Sequence, residues 1–173
     1  MKKPARQSSV SDDQIQALLN RYACPVPFHQ VRTRFLGRIA SPAIGASPME
    51  GVKGLWGGDL PEFESLDAAN ELIAALVMGL WNQLARHQER GAPFRLLRMT
   101  TPATRQGLAA LALTRQQELD GFVEGLFGQD DVVDLPERAH RAMDGLAEMR
   151  ALFAATAEVA DDCLLYTSDA ADE

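Results

Sequence analysis

The sequence predicts an all-α protein: a single compact domain of six or seven helices around a long central helix at about residues 65–90. Two observations support this fold class. Apolar residues recur at intervals of three and four along most of the chain, whereas no stretch shows the strict alternation of a half-buried strand. Capping residues, glycines and prolines separate these periodic stretches, as helix boundaries require.

Length and composition are those of an ordinary globular chain. The 173 residues suffice for one domain with a core, and 46% are hydrophobic and 24% charged. The longest apolar run, Leu72–Trp81, is half of the roughly 20 residues that a membrane span needs. The N-terminus has no apolar segment typical of a signal peptide. We therefore expect a cytoplasmic protein with a flexible tail at 1–10 and one domain at 11–162.

We interpret the C-terminal segment Cys163–Glu173, CLLYTSDAADE, as a sequence that does not belong to the natural protein. All eleven positions are compatible with the translation of a transposase-type sequencing adapter. We therefore expect 163–173 to be a non-native tail and set it aside. The rest holds 21 acidic and 17 basic residues, a net charge of −4, with Cys24 as its only cysteine. A single cysteine suits a reducing compartment.

Charge is distributed unevenly along the chain. Residues 1–58 hold eight basic and three acidic residues, and residues 59–162 hold nine and eighteen. One interpretation is a nucleic-acid patch around Arg32, Arg34 and Arg38. The other is two oppositely charged parts of one domain. The basic patch is short, it has no interleaved aromatic residues, and the chain as a whole is acidic. These observations favour the second interpretation, so a nucleic-acid partner is not expected.

The first helices are predicted from capping signals. Ser11 and Gln14 form a capping box, and Pro25 and Pro27 close the helix that follows. A second helix is expected at roughly 31–40. The predicted inward-facing residues are Ile15, Leu18, Leu19 and Tyr22 in the first helix, and Phe35, Leu36 and Ile39 in the second.

The stretch Ser41–Gly58, SPAIGASPMEGVKGLWGG, is rich in glycine and admits two interpretations. Ser47 to Glu50 resembles a capping box with proline at the first helical position, and Gly57-Gly58 would end a short helix. A phosphate-binding loop would need G-x-x-x-x-G-K-[ST] or G-x-G-x-x-G, and neither occurs. We therefore predict helix punctuation and no nucleotide site.

The central helix is predicted to be the longest. Ser65 caps it, Asp67 and Glu71 lie near its positive end, and Gly91 ends it. Its middle is apolar nearly all round, which indicates burial. The two predicted stripes are Ile73, Leu76, Leu80 and Leu84, and Ala74, Val77, Met78 and Trp81.

The remaining helices follow a connector. Thr101-Pro102 is expected to open a helix that breaks at a capping box formed by Thr114 and Gln117 and then restarts. Gly121 and Gly125, four residues apart, would let another helix approach closely. A capping box at 134–137 opens the last helix, which is predicted to end at about Ala160. Its predicted inward face is Ala139, Met143, Leu146, Met149 and Phe153.

Sites for chemistry are few. Cys24 could pair with His29, His87 or His140 as a nucleophile, but a lone cysteine is commonly a small buried hydrophobe. No metal-ligand spacing occurs. We therefore predict no catalytic, cofactor-binding or metal residue. The tryptophans, Trp56 and Trp81, are assigned to the core, and Asn82 is expected to bond a loop backbone.

Several motifs resemble one known family. The segments LWGG, PEFES and LWNQLA, preceded by FLGRIASPAIGASP and followed by LDGFVEGL, resemble the YgfB/YecA-like family of bacterial proteins over about residues 31–127. Arg34-Phe35-Leu36 departs from the Gly-Phe-Leu pattern usual in the family. The residues that carry the structural signature are Trp56, Gly57, Pro61, Phe63, Trp81, Asn82, Gly121, Phe122 and Gly125.

The resemblance implies a helical fold and little specific chemistry, since the family is poorly characterised and has no accepted catalytic residues. It favours a non-catalytic interaction or regulatory module with an unknown protein partner and an undetermined oligomeric state. Some relatives carry a cysteine-rich zinc motif like the C-terminal one of SecA. One alternative is therefore an accessory protein of metal handling or protein export whose zinc motif is lost beyond Asp162. A second is an enzyme using Cys24 and a histidine.

Overall fold

A computed structural model of the chain describes residues 10–42, 47–86, 93–128 and 134–169, with side chains to residue 160. All regular structure in these ranges is helical, as predicted. The elements are α1 (Asp12–Arg21), α2 (Phe28–Ala40), α3 (Pro48–Gly54), α4 (Leu66–Ile73), a π-helical segment (Ala74–Trp81), α5 (Asn82–Ala85), α6 (Arg105–Phe127) and α7 (Glu137–Asp169).

The chain groups into two compact units, which are described separately. The first comprises Met1–Phe28 and Gly45–Phe94, and the second comprises His29–Ile44 and Arg95–Glu173. The prediction of one domain over residues 11–162 stays a prediction. None of the helices in the described ranges is both long and apolar enough to cross a membrane.

In the first unit, α1 and α3 pack on the helical segment that runs without a break from Leu66 to Ala85. The predicted capping box of α1 is confirmed. The Gln14 amide donates to the Ser11 hydroxyl at 3.3 Å, and the Ser11 amide donates to Gln14 Oε1 at 3.0 Å. The buried apolar residues of this unit's core are Ile15, Leu19, Phe28, Val52, Leu55, Leu72, Ala75, Leu76, Leu80, Trp81 and Leu84.

The helix beginning at Leu66 differs in its middle from the predicted regular α-helix. Ser65 caps it as predicted, accepting a hydrogen bond from the Ala68 amide at 3.1 Å. Residues Ala74–Trp81 then form π-helical turns, and the Asn82 amide reaches back five residues to the Val77 carbonyl.

This wider turn explains why the second predicted stripe is wrong. It places Trp81 one turn after Leu76, so both are buried, whereas Met78 is 62% exposed and Ala74 is also exposed. The prediction that Trp81 belongs to the core is confirmed. The prediction that this is the longest helix is wrong, because α7 is longer than the whole predicted range of 65–90. The predicted end at Gly91 lies outside the described residues.

In its described parts, residues 41–42 and 47–58, the glycine-rich stretch lies at helix boundaries, as predicted. Ser47 occupies the N-cap of α3 but its side chain makes no capping bond, so the predicted capping box is wrong. Proline at the first helical position fixes the helical φ without it. Gly57 and Gly58 end the turn with φ of 82° and 121°, which only glycine adopts readily.

In the second unit, α6 and α7 pack against each other and α2 crosses α6. Apart from glycines, the buried residues of this unit are Val31, Thr33 and Phe35 of α2, Ala112, Glu118 and Leu126 of α6, and Ala160 of α7. The second helix of the chain begins at Phe28, three residues before its predicted start, because Pro27 directly precedes it and disfavours only the residue before itself.

The predicted break near Thr114 is wrong, since α6 continues from Arg105 to Phe127. The Thr114 hydroxyl donates to the Ala110 carbonyl at 2.9 Å, one turn back in the same helix. That bond satisfies the hydroxyl inside a continuous helix and removes the need for a cap. The predicted start at Thr101-Pro102 is also early, because Thr104 is the N-cap and accepts from the Gly107 amide at 3.1 Å.

The last helix extends further than predicted. It begins at Glu137, directly after Pro136, and its backbone is helical to Asp169, past the predicted end near Ala160. No proline or glycine occurs between Ala154 and Asp169, so the sequence offers no stop signal there.

Candidate functional site

The signature residues of the first unit form an aromatic cluster at the C-terminal end of α1. The Trp56 indole N–H donates to the Tyr22 carbonyl at 2.9 Å, and the Tyr22 and Phe63 rings meet edge to face with centroids 5.2 Å apart. The Arg21 guanidinium lies 5.7 Å from the Tyr22 ring centroid. Pro61 is half-buried and Gly57 and Gly58 are exposed at positive φ.

Weak ion pairs of Arg21 join this cluster to the helix that begins at Leu66 and to the loop before that helix. Arg21 lies 3.9 Å from Glu64 and 3.6 Å from Glu71, and all three side chains are at least half exposed. Such exposed pairs add little stability. The hydroxyl of Tyr22 is buried and has no hydrogen-bond partner among the described atoms. The cluster therefore explains the signature residues as packing around a loop.

Asn82 does not bond a loop. It is exposed, and its amide nitrogen donates to the Met78 carbonyl of its own helix at 3.4 Å. The predicted loop contact is wrong because Asn82 follows the π-helical segment on its outer side, where the nearest acceptor is a carbonyl of the preceding turn.

The glycines of the second unit bring two helix backbones together. A Cβ added at Gly121 would lie 2.7 Å from the Gln30 carbonyl oxygen of α2, and one at Gly125 would lie 2.9 Å from the Arg38 nitrogen. An added Cβ at Gly37 would overlap the Phe122 carbonyl. The predicted close helix approach at Gly121 and Gly125 is confirmed, and α2 is the partner helix.

A buried ion pair fixes the connector before α6. Glu118 is 1% exposed, and its carboxylate accepts from the Arg115 guanidinium at 2.5 Å and from the Leu97 amide at 3.3 Å. Arg115 also donates to the Leu97 carbonyl at 2.9 Å. Both backbone groups of Leu97 are therefore hydrogen-bonded to side chains of α6. We call this arrangement the clamp at Glu118, and it was not predicted from the sequence.

The residues considered for nucleophilic chemistry have other environments. Cys24 is a partly buried thiol in the first unit. In the second unit, His29 Nε2 hydrogen-bonds Gln117 Oε1 at 2.8 Å, and His140 is exposed on α7. His87 lies outside the described residues. Among the described side chains, no three of His, Cys, Asp or Glu are grouped as metal ligands would be.

The basic residues Arg32, Arg34 and Arg38 are engaged in the second unit's own structure. Arg32 donates to the Arg95 carbonyl at 3.3 Å, and Arg34 lies 3.6 Å from Glu124. Arg38 packs near Gly128, where its guanidinium would meet an added Cβ. These contacts favour the interpretation in which the charges stabilise the fold.

The surface feature that sequence analysis missed is a groove between α6 and α7. These helices run antiparallel. Asp120 of α6 pairs with Arg150 of α7, and Arg105, which lies earlier on α6, lines the same groove as Ala160, which lies later on α7. The groove has a volume of about 470 Å³. We call it the apolar groove and define it by its lining residues: Arg105, Leu108, Ala155, Thr156, Val159 and Ala160.

The walls of the apolar groove are exposed hydrophobic side chains. Leu108 is 49% exposed and Val159 64% exposed. A second hollow of about 460 Å³ shares Arg105 and Leu108 and extends past the N-terminus of α6 to Thr101. Leu152, 64% exposed, lies one helical turn before Ala155 and Thr156 on α7. The apolar surface therefore continues along α7 beyond the groove.

The groove carries one charge, on Arg105, which also lies at the positive end of α6. The Thr156 hydroxyl donates to the Leu152 carbonyl at 2.8 Å, so this donor is already satisfied within α7. Such a lining can bind an apolar surface that has an acidic group beside it.

One sequence signal could have found this surface. The helix α7 has two apolar stripes, and the predicted inward face contained Met149, which is in fact 45% exposed. Leu152 and Val159, seven residues apart, fall beside Met149 on the outward stripe.

Comparisons of the chain with protein-family models, with curated proteins and with solved structures found no match. The resemblance to the YgfB/YecA-like family stays a prediction.

Proposed function

We propose that this chain is a non-catalytic protein-interaction or regulatory module that binds its partner through the apolar groove. The single observation that supports this is the contiguous exposed apolar surface formed by Leu108, Leu152 and Val159. Contiguous apolar patches on soluble proteins commonly mark contact sites, because leaving them in water is unfavourable.

The geometry of the groove favours a helical ligand. Two antiparallel helices leave a channel between them, and an amphipathic helix can lay its apolar face into such a channel. Arg105 at one end would pair with an acidic residue of that ligand, and the N-terminal dipole of α6 would add to the attraction.

The proposal retains the other expectations drawn from the sequence and from the family resemblance. The module is cytoplasmic and bacterial, and it needs no cofactor for binding. The family resemblance supports an interaction role because the family has no accepted catalytic residues. The alternative role in metal handling or export has a separate test, which is the genomic sequence that follows codon 162.

Site-specific photocrosslinking in the native cells tests the proposal. A benzophenone amino acid replaces Leu108 in the groove, and a control protein carries it at Leu66, which is 77% exposed in the first unit. We expect a discrete protein adduct from position 108 that Val159→Asp abolishes, and no matching adduct from position 66.

Two results would contradict the proposal. One is the absence of any adduct from position 108. The other is the same set of adducts from both positions, since that would show nonspecific contact of exposed side chains.

A further inference from the structure

The connector before α6 is an extended segment. Its backbone runs without a turn or bend through residues 95–101, which we call the extended connector. From Leu96 onward, exposed side chains alternate with partly buried ones, as in a β-strand that lies on a surface. The exposed side chains are those of Leu96, Arg98 and Thr100, and the partly buried ones are those of Leu97, Met99 and Thr101.

Side chains of α2 and α6 bind one backbone edge of the extended connector. Arg32 donates to the Arg95 carbonyl at 3.3 Å, and the clamp at Glu118 binds both backbone groups of Leu97. In an extended chain, the N–H and C=O groups of alternate residues point to the same edge. Arg95 and Leu97 are two residues apart, so all of these bonds lie on one edge.

The opposite edge presents the backbone groups of Leu96, Arg98 and Thr100. None of these three residues forms a backbone hydrogen bond with any residue that the structure describes. The next residue on this edge, Pro102, has no N–H, so the open edge runs from Leu96 to Thr100. Such an edge of unpaired donors and acceptors is a template for a further strand.

The extended connector is also preorganised for strand pairing. The bonds to Arg95 and Leu97 keep its backbone extended before any partner binds, and one of them comes from the buried carboxylate of Glu118. A segment that is already ordered loses less conformational entropy on binding than a mobile loop does. The bonds along one edge therefore make the open edge a better binding surface.

Charge indicates which kind of partner fits the open edge. Arg95, Arg98 and Arg105 form no ion pair with any described residue, and no acidic residue occurs between positions 93 and 105. This local basic charge, on a chain of net charge −7, attracts an acidic ligand.

Two other kinds of partner fit the open edge less well. Full antiparallel overlap of two copies of the extended connector would place Arg98 opposite Arg98, and like charges directly opposite are destabilising. The phosphates of a nucleic acid accept hydrogen bonds but do not donate them, so they would leave the carbonyls of this edge unpaired. A peptide backbone supplies both donors and acceptors.

From these observations we infer that the open edge of the extended connector binds an acidic peptide segment, which adds to it as an antiparallel strand. A carboxylate side chain of the peptide lies directly opposite Arg98, and an apolar one lies opposite Leu96, which is 45% exposed. Because the two strands run in opposite directions, the acidic residue precedes the apolar one by two positions. The open edge is separate from the apolar groove, so this inference goes beyond the proposed function.

Fluorescence anisotropy of a labelled peptide with the full chain tests the inference. The probe Ser-Thr-Val-Glu-Val-Ile-Ser, capped at both ends, places its glutamate opposite Arg98 and its isoleucine opposite Leu96. We expect saturable binding at chain concentrations up to about 1 mM. N-methylation of the glutamate removes an N–H that faces the open edge and should weaken binding about tenfold. N-methylation of a neighbouring valine is the matched control, because its N–H points away, and should change the affinity by no more than about twofold.

A charge exchange tests the register independently. Arg98→Glu should weaken binding of the glutamate probe about fivefold, and a probe with lysine in place of glutamate should bind this variant to within about twofold of the natural pair. The matched control is Arg138→Glu, which makes the same change at an exposed arginine of α7 and should leave the affinity for the glutamate probe within about twofold. Circular dichroism checks that both variants keep their helix content.

Four results would overturn the inference. The first is the absence of saturable binding of the glutamate probe. The second is an equal effect of N-methylation at the glutamate and at the valine, which would show attraction without strand pairing. The third is an equal effect of Arg98→Glu and Arg138→Glu. The fourth is tighter binding of a single-stranded oligonucleotide than of the probe, lost in Arg98→Glu, which would assign the arginines to nucleic acid. None of these results bears on the apolar groove.

Discussion

Replacing Gly125 with alanine tests the close approach of α2 and α6. An added Cβ would overlap the Arg34 carbonyl oxygen and lie 2.8 Å from the Arg34 carbonyl carbon and 2.9 Å from the Arg38 nitrogen. Ordinary contact begins at 3.4 Å, and all three atoms belong to the α2 backbone. No side-chain rotation can relieve the overlap, so one helix must move away from the other.

The size of the effect follows from two opposing terms. Alanine favours a helix over glycine by about 1 kcal/mol. Overpacking a close contact costs about 1–3 kcal/mol, and more when backbone must shift. The clash at Gly125 involves only backbone atoms, which places its cost at about 3 kcal/mol or more. After the propensity gain is subtracted, we expect Gly125→Ala to lower the free energy of unfolding by about 2 kcal/mol or more. For a chain of this length each kcal/mol corresponds to a fall in Tm of about 2–4 °C.

Gly145→Ala is the matched control. Gly145 lies in α7, and an added Cβ there meets nothing within 4 Å. This variant should keep the propensity gain and raise the free energy of unfolding by about 0.5–1 kcal/mol. Urea titration followed by circular dichroism gives both values. If Gly125→Ala stabilises the chain as much as Gly145→Ala does, the helices are further apart than the structure places them and the packing argument fails.

Three further substitutions test features of the two cores, and all are measured by urea unfolding. Trp81→Ala should lower the free energy of unfolding by about 3–5 kcal/mol, as large-to-small core changes do, whereas Asn82→Ala next to it should change that free energy by no more than about 0.5 kcal/mol. Equal effects of the two substitutions would contradict the burial of Trp81. Tyr22→Phe removes a buried hydroxyl without a partner and should be neutral or stabilise by up to about 1 kcal/mol, so a clear loss would show that the hydroxyl is bonded. Glu118→Ala leaves Arg115 without its carboxylate and should cost about 3–5 kcal/mol, with faster hydrogen exchange at the Leu97 amide; unchanged exchange there would argue against the clamp.

Features that depend on neighbouring residues were predictable from the sequence. The capping box of α1 needs only Ser11 and Gln14, which are three residues apart, and the same holds for the cap at Ser65. The glycine stop at Gly57-Gly58 is equally local, because φ is a property of the single residue. These signals give the helical fold class without any knowledge of tertiary contacts.

Features that depend on distant residues were not predictable in the same way. Thr114 fits a capping box, but the same hydroxyl can bond a carbonyl one turn back, and packing of the whole helix decides between the two. The spacing of Gly121 and Gly125 indicates a close approach without naming α2 as the neighbour. Met149 and Phe153 look alike as apolar positions on α7, and only the course of α6 shows which is covered.

The clamp at Glu118 shows a related limit. An acidic residue inside an amphipathic helix is usually solvated, so its sequence position gives no reason to expect burial. Its partners are Arg115, which is local, and the Leu97 backbone, which is 21 residues away. Only the folded connector brings the second partner within reach.

The π-helical segment at Ala74–Trp81 gives this helix a tolerance for changes in chain length. A turn closed by a bond to the fifth residue back encloses one more residue than an α-helical turn. A chain that lacked one residue here could close the same stretch as ordinary α-helix. The cap at Ser65 and the buried Leu84 would then both keep their places, and the length difference would be absorbed between them. Deletion of a single residue, which would rotate every later side chain of a regular helix by about 100°, should therefore be tolerated in this segment better than in α6.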